Sequence, residues 1–304
     1  MRRAVLELIN EDQDGTRIVH GRLTDADAYD AWTGAEQLKE ALEYRALMER
    51  GDFTPAELPR KEKTLLLAAM LLAMPDCRRL TELGSSVMEV VDGLAAAMAL
   101  ISRHGGVPDA AARLAPTALE FVGIETSPFM RRIGQAIHVG TRIAQYDSVA
   151  AAADLSGGLL YDRSVTSYAF STAADAAAFI NRFDGAYMNL LISRGESFST
   201  SILGRQATYF SLDELNRELK HPLIHLFGWR APARVAYRNQ GRPVIEGFFF
   251  HGPPETMAAF SALCDAIAPL EAFAREKAMR PRPAAALTSD ESLSGPPDRR
   301  RQEA

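Results

Sequence analysis

Phe121-Val122-Gly123-Ile124-Glu125-Thr126-Ser127-Pro128 reads as a buried strand, a carboxylate at its tip and the first turn of a helix. The apolar run has strand length, Ser127 suits an N-cap, and Pro128 suits the first helical position, where its missing N–H is not needed. A strand that turns straight into a helix in this way belongs to the carboxyl edge of a parallel sheet, the edge at which open α/β sheets bind ligands. Glu125 there could accept hydrogen bonds from two neighbouring ribose hydroxyls of a nucleoside. The same residue also reads as a solvated carboxylate at a strand end.

Working outward from this stretch, strands and helices alternate, the pattern of a parallel sheet covered on both faces. Leu80–Gly84 reads as a first strand, followed by a long helix to about His104 and then the strand just quoted. A helix over Pro128–His138 leads to a third strand, Thr141–Asp147, which again ends in an acid. Leu159–Ser164 is a fourth strand, Thr172 caps a helix to about Arg182, and Gly185–Ser193 is a fifth. The polar stretch 194–206 reads as a surface loop near the ligand edge. Ser211-Leu212-Asp213-Glu214 is a capping box for a helix to about Lys220, and Arg234–Tyr237 with Val244–Phe250 form a hairpin around Asn239-Gln240-Gly241.

Residues 1–79 form a helical segment. Thr33 and Glu36 make a capping box that predicts a helix over 34–50, and a second helix starts at Thr54-Pro55 or Leu58-Pro59 and runs to Pro75. Its run Leu65–Met74 is too short to span a bilayer and reads as a buried helix or a contact with a second copy of the chain. A last helix spans about Pro253–Met279, and 281–304 is Pro-, Ser- and charge-rich, the composition of a disordered tail.

With 304 residues, 47% of them hydrophobic, the chain can bury a substantial core. A net charge of −5 without a basic stripe argues against a nucleic-acid partner. Cys77 and Cys264 lack metal-ligand spacing, so neither a structural zinc site nor a disulfide framework is indicated. His221 and His225 are spaced i, i+4, but Pro222 lies between them and no third ligand is evident, so no metal is expected. The N-terminus soon turns acidic, unlike a secretory signal, and the expectation is a cytoplasmic protein without a membrane segment.

Residues 80–250 resemble the class I S-adenosylmethionine-dependent methyltransferases, an α/β family with a Rossmann-like seven-stranded, mostly parallel sheet that ends in an antiparallel hairpin. The resemblance rests on element order and on short matches. Glu82-Leu83-Gly84-Ser85-Ser86 matches the family's acid and glycine turn after the first strand, although one glycine stands where the family has two or three, and residues 105–117 read as an insertion. The resemblance implies S-adenosylmethionine as cofactor, held by Glu82, Gly84, Ser85, Glu125 at the ribose and Asp147 beside the adenine. It implies that the fourth strand borders the methyl-transfer site. Asp162 and Arg163 could there orient or deprotonate a small-molecule acceptor, or else anchor the following loop as a local charge pair. Tyr168 could line the acceptor pocket or belong to the core, and Glu196 beyond the fifth strand could touch the acceptor or face solvent. The implied activity is methyl transfer to a small polar acceptor such as a hydroxyl of a sugar or secondary metabolite. The alternative is a non-catalytic member of the fold that docks a protein partner.

Overall fold

The computed structural model describes residues 18–19, 22–23, 26–59, 61–104, 107, 110, 118–193, 195–202, 205–225, 234–239 and 242–265. The sheet strands are β1 (Arg79–Leu83), β2 (Glu120–Ile124), β3 (Ile143–Tyr146), β4 (Leu159–Arg163) and β5 (Gly185–Ser193), then a separate hairpin β6 (Phe198–Ile202) and β7 (Arg205–Tyr209), and finally β8 (Ile224–His225), β9 (Arg234–Asn239) and β10 (Arg242–His251). The helices are α1 (Ala26–Arg50), α2 (Lys61–Leu72), α3 (Val90–His104), α4 (Pro128–Ile137), α5 (Thr166–Ala169), α6 (Ala173–Ile180) and α7 (Leu212–Glu218), with α8 over 254–265.

The central sheet runs β8-β10-β5-β4-β1-β2-β3, and β9 pairs with β10 beside β8. Strands β1 to β5 are mutually parallel, and β10 is antiparallel to its neighbours on both sides. One face packs against α2, α3 and α8 through Leu65–Leu71, Leu94, Met98, Ile101 and Phe260. The other packs against α6 and α7 through Ala176, Phe179, Ile180 and Leu215. Strands buried on both faces explain why the sequence gives continuous apolar runs rather than alternation.

The expected N-caps at Ser127 and Thr172 are in place, with side chains accepting from Met130 N and Asp175 N. Ser211 caps α7 as expected, but Glu214 turns to Ser197 instead of closing the box.

Four expectations are corrected. The first helix begins at Ala26, so Thr33 and Glu36 lie inside it; Gly34 is accommodated there because its bare Cα faces Met130 of α4. The second helix is split: Thr54 caps only a single 3-10 turn, Pro55–Glu57, and α2 starts afresh at Lys61. The stretch 194–206 holds β6 and the start of β7 and read as a loop because Ser199-Thr200-Ser201 and Arg205-Gln206 are polar. The segment 1–79, expected to be helical, also holds a short antiparallel pair, Ile18–Val19 with Arg22–Leu23, which like β8 went unread because two residues carry no periodicity. The helix beyond residue 265, the tail 281–304 and most of the insertion at 105–117 lie outside the described residues.

Candidate functional site at the carboxyl edge of the sheet

Strands β1, β2 and β3 all end at one edge, so sheet pairing brings their terminal residues together. Across β3, β2, β1, β4, β5 and β10 the register aligns Gln145, Gly123, Glu82, Tyr161, Tyr187 and Phe250 in one row on the α3 face. The β4–β10 half is aromatic, with Tyr187 stacked between Tyr161 and Phe250. The β1–β3 half is polar.

Glu125 stands just past the tip of β2, half-buried. Its Oε2 accepts from Ser86 N at 2.8 Å and its Oε1 from Ser127 N at 2.9 Å, so it ties the turn after β1 to the start of α4. That turn has left-handed backbone at alternate positions, Gly84 (φ 76°), Ser86 (φ 47°) and Met88 (φ 59°). Only the first is glycine, and it must be: a Cβ on Gly84 would lie 2.2 Å from Val165 Cγ2. Ser85 and Met88 pack onto the bare Cα of Gly123, and Ser86 Oγ points to Met130. Four of the turn's N–H groups are spent inside the protein: those of Gly84 and Ser85 on Ile124 O, that of Ser86 on Glu125, that of Met88 on Ser85 O.

Glu82 is 1% exposed and meets Arg163 of β4 at 3.4 Å. Arg163 also contacts Glu89 closely, so one guanidinium serves two buried carboxylates. Burial pushes the Glu82 carboxyl well above the usual range against the pull of Arg163, and Glu89 and Glu125 push the same way. Burial opposes the charge of Arg163, but Glu89 and Glu82 outweigh it and raise the guanidinium's hold on its proton. Beside this cluster lies a pocket of about 20 Å³, lined among others by Glu40 and Tyr44 of α1, Lys63 of α2 and Tyr161. That is room for about one water molecule.

Asp162 is fully buried and faces its own turn. Its Oδ1 accepts from Val165 N (2.9 Å) and Thr166 N (3.3 Å) and its Oδ2 from Thr166 Oγ1 (2.7 Å), which ties the end of β4 to the start of α5. Burial raises its pKa to about 6, against these hydrogen bonds. Asp162 and Arg163 therefore do not pair with each other, and the loop after β4 is anchored by backbone amides. Tyr168 is 41% exposed on α5, outside the core. Asp147 is exposed at the tip of β3, with Ser148 Oγ donating to it at 3.0 Å. Glu196 is exposed. His221 follows α7 rather than lying on a helix with His225, and His251 Nδ1 meets its backbone oxygen at 2.7 Å. Among the described residues no group of three or more potential metal ligands occurs.

The sequence reading missed Glu89 and the partners of Arg163, because both depend on β4 pairing with β1 across the sheet.

Outward from β1 the strand order is β2-β3 on one side and β4-β5-β10 on the other, with only β10 reversed and the short β8 at its edge. The chain has the class I methyltransferase fold. No family model and no curated protein sequence matches it. Solved structures similar to it include the N-terminal domain of EvdMO1 with S-adenosylhomocysteine bound, at 12% identity and a TM-score of 0.42, covering 83% of this chain and 97% of that one. They also include the 1,6-didemethyltoxoflavin-N1-methyltransferase of Burkholderia thailandensis, at 12% identity, a TM-score of 0.36, and 77% and 94% coverage. CalS10 of Micromonospora echinaspora, an amino pentose methyltransferase, matches at 13% identity, a TM-score of 0.35, and 67% and 95% coverage. With every one of these TM-scores below 0.5, the fold assignment rests on the strand order itself.

Proposed function

We propose that this chain binds S-adenosylmethionine at the edge formed by β1, β2 and β3 and transfers its methyl group to a small polar acceptor, such as a hydroxyl of a sugar or secondary metabolite. The observation that carries the reading is the state of Glu125. Its carboxylate is half-buried just past the tip of β2 and held in a fixed orientation by the N–H groups of Ser86 and Ser127. A carboxylate so placed suits a ribose diol lying beside β2, and the exposed Asp147 at the tip of β3 fits the base side. The turn after β1 contributes shape rather than hydrogen bonds, since the amides of Gly84, Ser85, Ser86 and Met88 are already paired within the protein.

When bound, the cofactor supplies an electrophilic methyl group on a sulfonium. The protein's part is to hold the acceptor in line with it and to exclude water. Arg163 keeps Glu82 and Glu89 in place behind the turn, Asp162 fixes the loop after β4, and Tyr168 is exposed on the helix that this loop begins. Asp162 acts here as a positioning residue, because its oxygens are bound to Val165 and Thr166.

A second reading is favoured by the buried side chains of Ser85, Ser86 and Met88 at the first turn: a member of the fold that has exchanged catalysis for docking a protein. Titration with S-adenosylhomocysteine separates the two. Saturable binding that Glu125→Ala weakens by tenfold or more, in a variant that keeps its fold despite the loss of two hydrogen bonds, supports the enzyme; absence of binding by the folded protein supports the docking module.

A further inference from the structure

Three carboxylates gather around one guanidinium behind the first turn. Arg163, at the end of β4, contacts Glu89 at the start of α3 and reaches Glu82 of β1 at 3.4 Å, and all three side chains are buried. Glu125, past the tip of β2, adds a negative charge that Glu82 also feels. The neighbours of Glu82 along the sheet, Gly123 and Tyr161, bring no cation. Across the small pocket stand Glu40 of α1 and Lys63 of α2, one charge of each sign. Glu82 therefore faces two other carboxylates and shares its one ion-pair partner with Glu89.

A buried set with one excess negative charge is costly, because neither water nor a second counter-charge compensates it. Keeping a proton on one carboxyl removes the excess. Geometry selects which one. Arg163 lies closer to Glu89 than to Glu82, while Glu82 is the more deeply buried of the two, and its Oε2 has no hydrogen-bond partner. A neutral carboxyl oxygen without a partner is far less costly there than a charged one.

We propose that Glu82 holds one proton in the free protein and releases it to solvent when a cationic ligand docks at the edge formed by β1, β2 and β3, so that the site exchanges a proton for a sulfonium. The carboxylic acid becomes a carboxylate, the proton passes to the buffer, and the ligand's positive charge takes its place; no bond to the ligand forms. The release rests on the cofactor reading above, whereas the proton on Glu82 in the free protein does not. A thioether carries one positive charge less than a sulfonium and draws the proton out less. The edge accordingly favours S-adenosylmethionine over S-adenosylhomocysteine, and the preference grows as pH rises toward the point where Glu82 ionises by itself.

The test combines infrared spectroscopy and titration calorimetry on the full chain, in the wild type and Glu82→Gln, near neutral pH. The difference spectrum between the two proteins should contain the C=O stretch of one un-ionised carboxylic acid, and its absence would overturn the proposal. Calorimetry in two buffers of different ionisation enthalpy counts the protons released: about one for S-adenosylmethionine, fewer for S-adenosylhomocysteine, and none for either compound with Glu82→Gln. Equal release with both compounds, or none from wild-type protein that binds them, would overturn the exchange. The wild type alone suffices should the variant fail to fold: its affinity for S-adenosylmethionine should gain up to about tenfold per pH unit below the ionisation of Glu82, and that for S-adenosylhomocysteine less. Affinities that follow pH in parallel would overturn the exchange as well. An acid band in a protein that binds neither compound keeps the proton on Glu82 and removes the cofactor reading, together with the release.

Discussion

The two halves of one row across the sheet are built on opposite principles. From β4 to β10 the row is Tyr161, Tyr187 and Phe250, stacked with ring centroids 5.5 and 4.9 Å apart. From β3 to β1 it is Gln145, Gly123 and Glu82, where both amide ends of Gln145, Oε2 of Glu82 and the adjoining Ser85 Oγ are buried without hydrogen-bond partners. The aromatic half lowers the free energy of the fold through area and ring packing. The polar half raises it, since each unpaired buried group forfeits its hydration. Backbone, face and register are shared, so side-chain chemistry alone separates the halves. The costly half lies behind the strand tips that carry Glu125 and Asp147, where a ligand site is proposed.

Substitutions can break this comparison. The largest effects belong to groups whose loss leaves a hole or a naked charge. Tyr187→Ala should destabilise the protein by about 3–5 kcal/mol in urea unfolding. Arg163→Met should cost a similar ~3–5 kcal/mol by leaving Glu82 and Glu89 buried without their counter-charge. Adding Glu82→Gln should recover part of the second loss and none of the first; equal recovery in both backgrounds would mean that the halves are not independent.

Acid sharpens the contrast. His138, beside the first turn, has a folded pKa of about 4, below its usual 6.5, so its contribution is full above pH 6.5 and is lost as pH falls toward 4. That loss amounts to about 3 kcal/mol. Asp162, at the end of β4, has a folded pKa of about 6, above its usual 3.8, so its contribution is full below 3.8 and lost as pH rises through 6. The two slopes oppose each other between about pH 4 and 6. In His138→Gln the stability should therefore rise on acidification through that window, and in Asp162→Asn it should fall; parallel profiles would refute the assignment.

A smaller loss is expected at Gly123, where a Cβ would meet Ser85 Oγ at 2.4 Å. Gly123→Ala should cost about 1–3 kcal/mol, and Ser85→Gly should restore much of it in a double-mutant cycle. The smallest effect has the opposite sign. Gln145→Met and Ser85→Ala each remove unpartnered polar atoms and should stabilise by about 1 kcal/mol, read as a rise in Tm. Destabilisation in both would show that the polar half is better satisfied than its contacts indicate.

The legible parts of the fold are those that local chemistry specifies. Ser127-Pro128, Thr172 and Ser211 gave three helix starts, and the apolar runs gave β1 to β5 to within a residue or two at each end. The order of those elements, with the final hairpin, was enough for the fold. Long-range pairing was not legible. That Arg163 would turn from β4 to Glu82 and Glu89, or that the carboxylate of Glu125 would accept from Ser86 N, depends on which strands lie side by side. The early start of α1 escaped because Gly34 reads as a break unless Met130 is known to pack against it. The β6–β7 hairpin escaped because Ser199-Thr200-Ser201 and Arg205-Gln206 carry no apolar alternation. No helix among the described residues is long and apolar enough to cross a membrane. Leu65–Met74 reads as a buried helix, and its side chains from Leu65 to Leu71 are buried in the core.

The most direct test of the account is calorimetric titration of the full chain with S-adenosylmethionine and, separately, S-adenosylhomocysteine, in the wild type and Glu125→Ala. The account predicts one saturable site per chain in the wild type and at least roughly tenfold weaker binding in the variant, the scale of a lost hydrogen bond to a charged group. Folded wild-type protein that gives no heat of binding with either compound, or a variant that binds as tightly as the wild type, would contradict it.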